Sequence, residues 1–299
     1  MSQFRPMTFL LILVSCTPNF NQRVSIPLNS AIINGQEIRE NAPIAVNVVG
    51  LYNKKKNTIC TGSLIAPNIV LTAAHCAPER LSHLSVVFST NIDSTINARE
   101  QDILQELVLS ATDFKVSPNW NPKDEEREQN TGDIALIKFK GDAPENYKLT
   151  PLLSEESTLK VGDLVTIAGY GFNTVQTTPV SENQFPSIEK AYEDGDIFCQ
   201  EDEKGKPYQC VTVEMSGDSI LRKAVAPIDR ILETEIILDE HKAGTCNGDS
   251  GGPAYILKDN QYYLFGVTSR GSELCNEFGA YTNALKYKNW INETIKTLK

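Results

Sequence analysis

The chain has 299 residues, 40% of them hydrophobic and 22% charged. That balance fits one large or two smaller folded domains and excludes a disordered or fibrous chain. Lys+Arg 28 against Asp+Glu 38 gives a formal net charge of -10, and such an acidic surface repels phosphate backbones, which argues against nucleic acid as a partner.

The first element is a leader. Arg5 supplies a short basic region, residues 7–14 form the longest apolar run, and Ser15 is a small residue at which cleavage can occur, so residues 1–15 read as a signal peptide. The run is too short to span a membrane. Leu13-Val14-Ser15-Cys16 resembles the lipobox of bacterial lipoproteins, in which the leader is removed ahead of the Cys and the Cys then carries lipid. The resemblance implies lipidation of Cys16, membrane attachment through it, and a secreted or cell-envelope location in a bacterium. A plain secretory leader with an incidental Cys is the alternative. In both cases the chain leaves the cytoplasm and enters a compartment where disulfides persist. Of the seven cysteines, setting Cys16 aside leaves Cys60, Cys76, Cys199, Cys210, Cys246 and Cys275, enough for three bridges. No His-rich pattern accompanies them, so no metal site is expected.

Residues 16–31, with Pro18 and Pro27 among Asn and Ser, read as a tether or pro-segment. From Ile32 short apolar runs alternate with turn residues, at 45–51, 63–66, 69–72, 84–88, 134–139, 164–168, 254–257 and 262–267. Runs this short, bounded by Gly, Pro, Asn and Asp, predict antiparallel strands, and their recurrence in both halves predicts two sandwiches or barrels, an all-β fold. The charged stretch 123–130 is a solvated loop, and residues 172–217, rich in Thr, Ser, Glu, Asp, Gly and Pro, form a surface insertion. Cys199 and Cys210 lie within it and can close a local loop. Residues 283–299 form a C-terminal helix, with Leu285, Trp290, Ile291, Thr294, Ile295 and Leu298 sharing one face.

The sharpest chemical signal is Gly248-Asp249-Ser250-Gly251-Gly252-Pro253. Flanking glycines let the backbone turn tightly and let substrate approach, and the N–H groups of Gly248 and Ser250 can converge on a developing oxyanion. A serine is a poor nucleophile without a base and a group that orients the base. Of the three histidines, His83 lies in a polar turn and His241 in a charged segment beside Glu240 and Lys242. His75 ends the apolar run Leu71-Thr72-Ala73-Ala74, and Cys76 can pin its loop by bridging back to Cys60. Asp133, before Ile134-Ala135-Leu136-Ile137, is the candidate carboxylate. Chain order then discriminates. An α/β-hydrolase elbow needs a His after the Ser, and none follows Ser250; a subtilisin order needs an Asp before the His, and the first Asp is Asp93.

Thr72-Ala73-Ala74-His75-Cys76, Asp133-Ile134-Ala135-Leu136 and Gly248-Asp249-Ser250-Gly251-Gly252-Pro253 occur in the order seen in chymotrypsin/trypsin-like serine proteases, and the chain resembles that family from Ile32 to its end. The resemblance implies two six-stranded antiparallel barrels with the site between them, the first over about residues 32–150 and the second over about 151–282. It implies Ser250 as nucleophile, His75 as general base and then acid, Asp133 as its orienting group, and Gly248 and Ser250 as the oxyanion hole. It also implies the bridges Cys60–Cys76 and Cys246–Cys275, and makes Cys199–Cys210 particular to this chain. Ile32-Ile33-Asn34-Gly35 resembles the family's mature N-terminus, whose freed amino group pairs with the Asp before the nucleophile, here Asp249. Ala31 precedes the cut where the family usually carries Arg or Lys, so cleavage by a non-tryptic protease is expected.

By the same resemblance Gly244, Thr245, Gly271 and Gly279 form the pocket for the residue before the cut bond (P1), and Ser269-Arg270-Gly271 pairs with substrate backbone. Gly244 stands where trypsin-like members carry an Asp. An open pocket without a buried acid predicts an uncharged, apolar P1 residue, and Arg270 predicts an acidic preference in the neighbouring subsite. The implied function is a serine endopeptidase acting on protein or peptide substrates as a monomer through an acyl-enzyme, without cofactor. The rival reading is a silent binding protein on the same fold, which would normally lack a member of the triad; all three are present.

Overall fold

The computed structural model describes residues 32–125, 132–155, 158–181 and 183–298. The leader, Cys16, the 16–31 tether and Ala31 lie outside the described residues.

After the short β1 (Gln36–Glu37), six strands close a first barrel: β2 (Val48–Asn53), β3 (Thr58–Ala66), β4 (Ile69–Thr72), β5 (Leu84–Val87), β6 (Val108–Val116) and β7 (Ala135–Phe139). The order is β2-β3-β4-β7-β6-β5, and β5 pairs back on β2. Alternate residues point inward: Val49 and Leu51 of β2 meet Leu64, Val70, Val86, Ile137 and Phe139 inside the barrel. The opposite faces are covered as well. Val48, Leu71 and Leu136 pack with Ala168, Tyr170, Tyr255, Leu264 and Val267 of the second half in a core shared by both barrels. Burial on two faces is why residues 69–71 of β4 and 134–137 at the start of β7 read as unbroken apolar runs in the sequence. Short helices α1 (Ile92–Ile96), α2 (Gln101–Leu107) and α3 (Pro122–Glu125) decorate the loops.

The second half contributes β8 (Leu164–Gly169), β9 (Thr174–Pro179), α4 (Ile188–Glu193), β10 (Phe198–Glu201), β11 (Pro207–Ser216), β12 (Arg222–Ile231), β13 (Glu235–Asp239), β14 (Pro253–Lys258), β15 (Gln261–Gly271) and β16 (Phe278–Asn283). β8-β12-β13-β16-β15-β14 closes a second six-stranded barrel, since β8 pairs with both β12 and β14, while β1 adds at β12. Its interior is Ile167, Ala226, Ile228, Ile236, Leu238, Phe265 and Tyr281. The two-barrel expectation therefore holds.

Residues 172–217 are more ordered than their loop-like composition predicts. β9, β11 and β10 form a separate three-stranded antiparallel sheet. Thr177 and Thr178 opposite Val213 and Thr212 supply the β-branched cross-strand pairs that hold it. The Cys199–Cys210 bridge joins β10 to β11 and restricts the unfolded chain, an effect worth roughly 3 kcal/mol for a loop of this size. The C-terminal helix α5 (Lys288–Thr297) is shorter than residues 283–299 predict, because the chain turns through 284–287 before it enters the helix. Ile291 and Thr294 are buried, and Trp290 and Ile295 pack on the shared core.

Candidate active site

β4 ends at Thr72 and the chain enters a single tight turn, Ala74–Cys76, that carries His75. Ala73 and Ala74 are buried, and small side chains let the turn pack closely. Cys76 is bonded to Cys60 on β3, fixing the turn to the barrel. The same three residues, Cys60, His75 and Cys76, bring their ligand atoms close together. The disulfide uses both thiolates, so the cluster is a staple and not a metal site.

Asp133 sits just ahead of β7, 1% exposed. Its Oδ2 lies 2.7 Å from His75 Nδ1, and its Oδ1 accepts the His75 backbone N–H at 3.0 Å. A carboxylate only accepts, so Nδ1 carries the proton. Two further donors arrive from the second barrel: Ser269 Oγ reaches Oδ2 at 2.7 Å, and Thr282 Oγ1 reaches the Asp133 carbonyl at 2.8 Å. The carboxylate is thus held from both barrels. Thr282 carries no signal in the sequence; it is found only through the fold.

The loop 244–252 presents Ser250. Gly251 has φ +81°, and a Cβ there would fall 2.0 Å from Thr72 Oγ1 and 2.4 Å from the Thr61 carbonyl. Only glycine fits. Gly251→Ala is therefore expected to destabilise the protein by about 2–4 kcal/mol, combining backbone strain with overpacking. A denaturation midpoint matching that of the parent protein would contradict this.

Thr61, fully buried, anchors the loop. Its N–H donates to the Ser250 carbonyl at 2.8 Å, and its Oγ1 donates to the Gly248 carbonyl at 2.9 Å and accepts from Tyr170 N at 3.2 Å. The Asn247 carbonyl accepts from Phe172 N, and the Asp249 carbonyl accepts from Gly252 N, each at 2.8 Å. In a trans peptide the next N–H points the opposite way. The N–H groups of Gly248 and Ser250 are therefore turned away from these partners, and neither has a hydrogen-bond acceptor among the described residues.

His75 and Ser250 line one cleft of about 280 Å³, together with Thr245, Asn247, Arg270 and Gly271. Gly271 and Gly279 face each other across β15 and β16, and the Cys246–Cys275 bridge closes one side. Past Val267, β15 loses its β14 partner and keeps only β16. Residues 269–271 thus have one strand edge with no partner strand among the described residues.

Two features bear on the expectations about the pocket. Arg270 does not present an isolated positive charge: its guanidinium forks onto buried Glu235 at 2.6 and 2.9 Å. A buried acid also lies close behind Thr245 at the cleft wall. Glu240, set in a charged stretch that reads as surface, is 1% exposed. A Cβ on Gly279 would fall 2.3 Å from its Oε1, and one on Gly244 would fall 2.7 Å from its Oε2. The acid comes ten positions before Ser250 instead of six, which is why motif spacing misses it.

Ile32 is fully buried in the core of the second barrel, and Ile33 exchanges backbone hydrogen bonds with Gly244 at 2.8 and 3.1 Å. Asp249 is also fully buried. Gly171 N donates to its Oδ1 at 2.8 Å and Cys246 N to its Oδ2 at 2.9 Å. Burial pushes its pKa up to about 7 against the pull of those two donors.

The chain is similar to known proteins over most of its length. The family model described as Trypsin matches residues 32–291. Kallikrein-8 of Mus musculus is 27% identical over 242 residues, covering 79% of this chain and 77% of that protein. Chymotrypsin-like elastase family member 1 of Rattus norvegicus is 25% identical over 277 residues, covering 89% and 90%. Among solved structures, neuropsin, a serine protease of mouse brain, superposes with a TM-score of 0.60 at 23% identity, covering 88% of this chain and all of that one.

Proposed function

The chain belongs to the trypsin family and is a serine-type endopeptidase acting on protein or peptide substrates; from that premise we propose that His75, Asp133 and Ser250 carry out the hydrolysis. Ser250 Oγ attacks the scissile carbonyl while His75 Nε2 takes its proton, and the N–H groups of Gly248 and Ser250 receive the negative charge that develops on the carbonyl oxygen. The imidazolium then protonates the departing amine, leaving an acyl-enzyme. Water, deprotonated by the same ring, releases the acid and restores Ser250. Asp133 holds the ring in the tautomer this sequence needs and stabilises its charged form. Substrate backbone adds to the open edge at residues 269–271, and the P1 side chain enters between Gly244, Thr245, Gly271 and Gly279. Those glycines alone would select an uncharged, apolar residue; Glu240 behind them adds a buried acid.

The observation that carries the proposal is the tripartite grip on Asp133 by His75 N, His75 Nδ1 and Ser269 Oγ, opposite a loop whose two N–H groups are turned from their neighbours. A fluorophosphonate probe should label the protein at Ser250, and Ser250→Ala should abolish labelling. Labelling of the parent at another residue, or not at all, overturns the assignment. Within the same reading, the chain is exported and lipidated at Cys16, supported by the leader pattern; a diacylglycerol-sized mass increment on the Cys16 peptide is the expected readout.

Cleavage after Ala31 would free an ammonium at Ile32 for Asp249, a switch built on a buried ion pair. The pH dependence of stability reads it. In the uncleaved chain Asp249 has a raised folded pKa, so the folded state binds more protons than the unfolded state between the ordinary carboxyl value of about 4 and about 7. Stability is then highest at the low end of that window and falls as pH rises through it, by up to a few kcal/mol. An ammonium partner lowers that pKa and removes Asp249's share. Melting temperatures from pH 4.5 to 7.5 should fall more steeply for the uncleaved chain than for protein beginning at Ile32. Parallel curves would reject the pairing.

A further inference from the structure

Glu240 is a buried acid that the catalytic cycle does not use. It follows β13 directly and is almost completely buried, whereas its neighbours Asp239 and His241 are exposed. Three donors converge on its carboxylate: Tyr281 OH on Oε1 at 2.6 Å, Thr245 N on Oε2 at 2.8 Å, and Thr245 Oγ1 at 3.0 and 3.3 Å from the two oxygens. Donors alone surround it, the arrangement that favours a carboxylate over a carboxylic acid. Yet no Lys, Arg or His among the described residues forms an ion pair with it, and the two largely buried guanidinium groups pair elsewhere, Arg270 with Glu235 and Arg222 with Asp218 and Glu37. A buried charge without a counter-charge is costly and invites one.

The position of the carboxylate says where that counter-charge would come from. It fills the space that a side chain at 244 or at 279 would occupy. The family resemblance assigns those two glycines to the P1 pocket, and their neighbours Thr245 and Gly271 line the cleft. Thr245 lines the cleft beside Ser250 and also touches both Glu240 oxygens, so the carboxylate lies directly behind the cleft wall. Resting on the proteolytic reading above, we propose that Glu240 forms the floor of the P1 pocket and selects substrates with a cationic P1 side chain, lysine or arginine. It would do so from an element different from the nucleophile loop, by reaching around Gly244 instead of replacing it. The absence of side chains at 244 and 279 is then what makes room for the acid.

Burial raises the pKa of Glu240 to about 7. The titratable groups facing it are Tyr281 from β16 and Asp249 from the nucleophile loop, neither of them a cation, so its charge and its attraction for a basic side chain grow as pH rises through neutrality. Protonated, the same floor would be uncharged and would tolerate an apolar P1 residue.

The test compares matched peptides Ala-Ala-Pro-X with X as Lys, Arg or Phe, on the active parent protein and on Glu240→Gln. The parent should favour Lys or Arg over Phe by at least tenfold in kcat/KM, and the ratio should rise from pH 6 to pH 8.5. Taking a ratio cancels whatever titrates in the shared machinery. In Glu240→Gln the ratio should fall at least tenfold and lose its pH dependence. A parent that prefers Phe, or a ratio unmoved by the substitution, overturns the proposal. Calorimetric binding of benzamidine to Ser250→Ala protein, with and without Glu240→Gln, reads the same pocket without catalysis. At least tenfold weaker binding in the double variant supports the proposal; equal binding or none rejects it. Failure of fluorophosphonate labelling would strike the catalytic assignment alone.

Discussion

Ser250→Ala is expected to lower kcat/KM on any good peptide substrate by about 10⁶-fold, and His75→Ala by nearly as much, while the double variant loses hardly more than either single one. The reason is that hydroxyl and imidazole act as one device. Without the base the hydroxyl keeps its proton, and without the hydroxyl the base has nothing to activate but water. What survives should be the part of catalysis owed to substrate alignment and to the N–H groups of Gly248 and Ser250, worth about 10³–10⁴ over the uncatalysed reaction. The fold should be unaffected. The loop is held by main-chain groups, the Ser250 carbonyl on Thr61 N, Gly251 N on the Thr268 carbonyl, and Gly252 N on the Asp249 carbonyl, and none of these uses the Ser250 hydroxyl. Steady-state kinetics of the four proteins decide the matter. Losses that multiply, so that the double variant falls far below either single variant, would show two independent contributions and dismantle the proposed unit.

The contrast between what could and could not be read beforehand follows the range of the interactions. β4 and the start of β7 were visible because burial on both faces turns residues 69–71 and 134–137 into continuous apolar runs. β6 was not, since Val108–Val116 mixes Ser, Thr, Asp and Lys with apolar residues and is only half buried. The Thr-rich β9 reads as loop because its stability comes from β11, more than thirty residues away. The strings around His75, Asp133 and Ser250 stand out because the chemistry needs particular neighbours at fixed offsets, such as the glycine at 251 that Thr72 and Thr61 leave no room to replace. Thr61, Thr282 and Glu240 act through contacts with residues distant in sequence or through a side chain turned inward against a charged context. No local pattern announces either. Glu240 is the instructive case: flanked by exposed Asp239, His241 and Lys242, it looks like one more surface charge until the fold turns it under Gly279.

Asp133→Asn isolates what the buried carboxylate contributes. All three groups that bind its oxygens are donors: His75 N at 3.0 Å, Ser269 Oγ at 2.7 Å, and, by that logic, His75 Nδ1 at 2.7 Å. An amide offers one accepting oxygen and one donating NH₂. If the oxygen takes the Oδ2 place, the NH₂ confronts the His75 backbone N–H, leaving a buried donor without an acceptor at a cost of about 1–3 kcal/mol. If the oxygen takes the Oδ1 place, the NH₂ faces the ring, and Nδ1 must become the acceptor. That second arrangement satisfies more groups, and it moves the ring proton to Nε2, the atom that should receive the proton of Ser250. The expected outcome is a kcat lower by about 10⁴-fold, with KM nearly unchanged and a melting temperature close to that of the parent. Ser269→Ala, which removes one donor and keeps the carboxylate, should cost far less. A kcat for Asp133→Asn within tenfold of the parent would mean that the carboxylate does not set the tautomer, and the role assigned to its grip on His75 would fall.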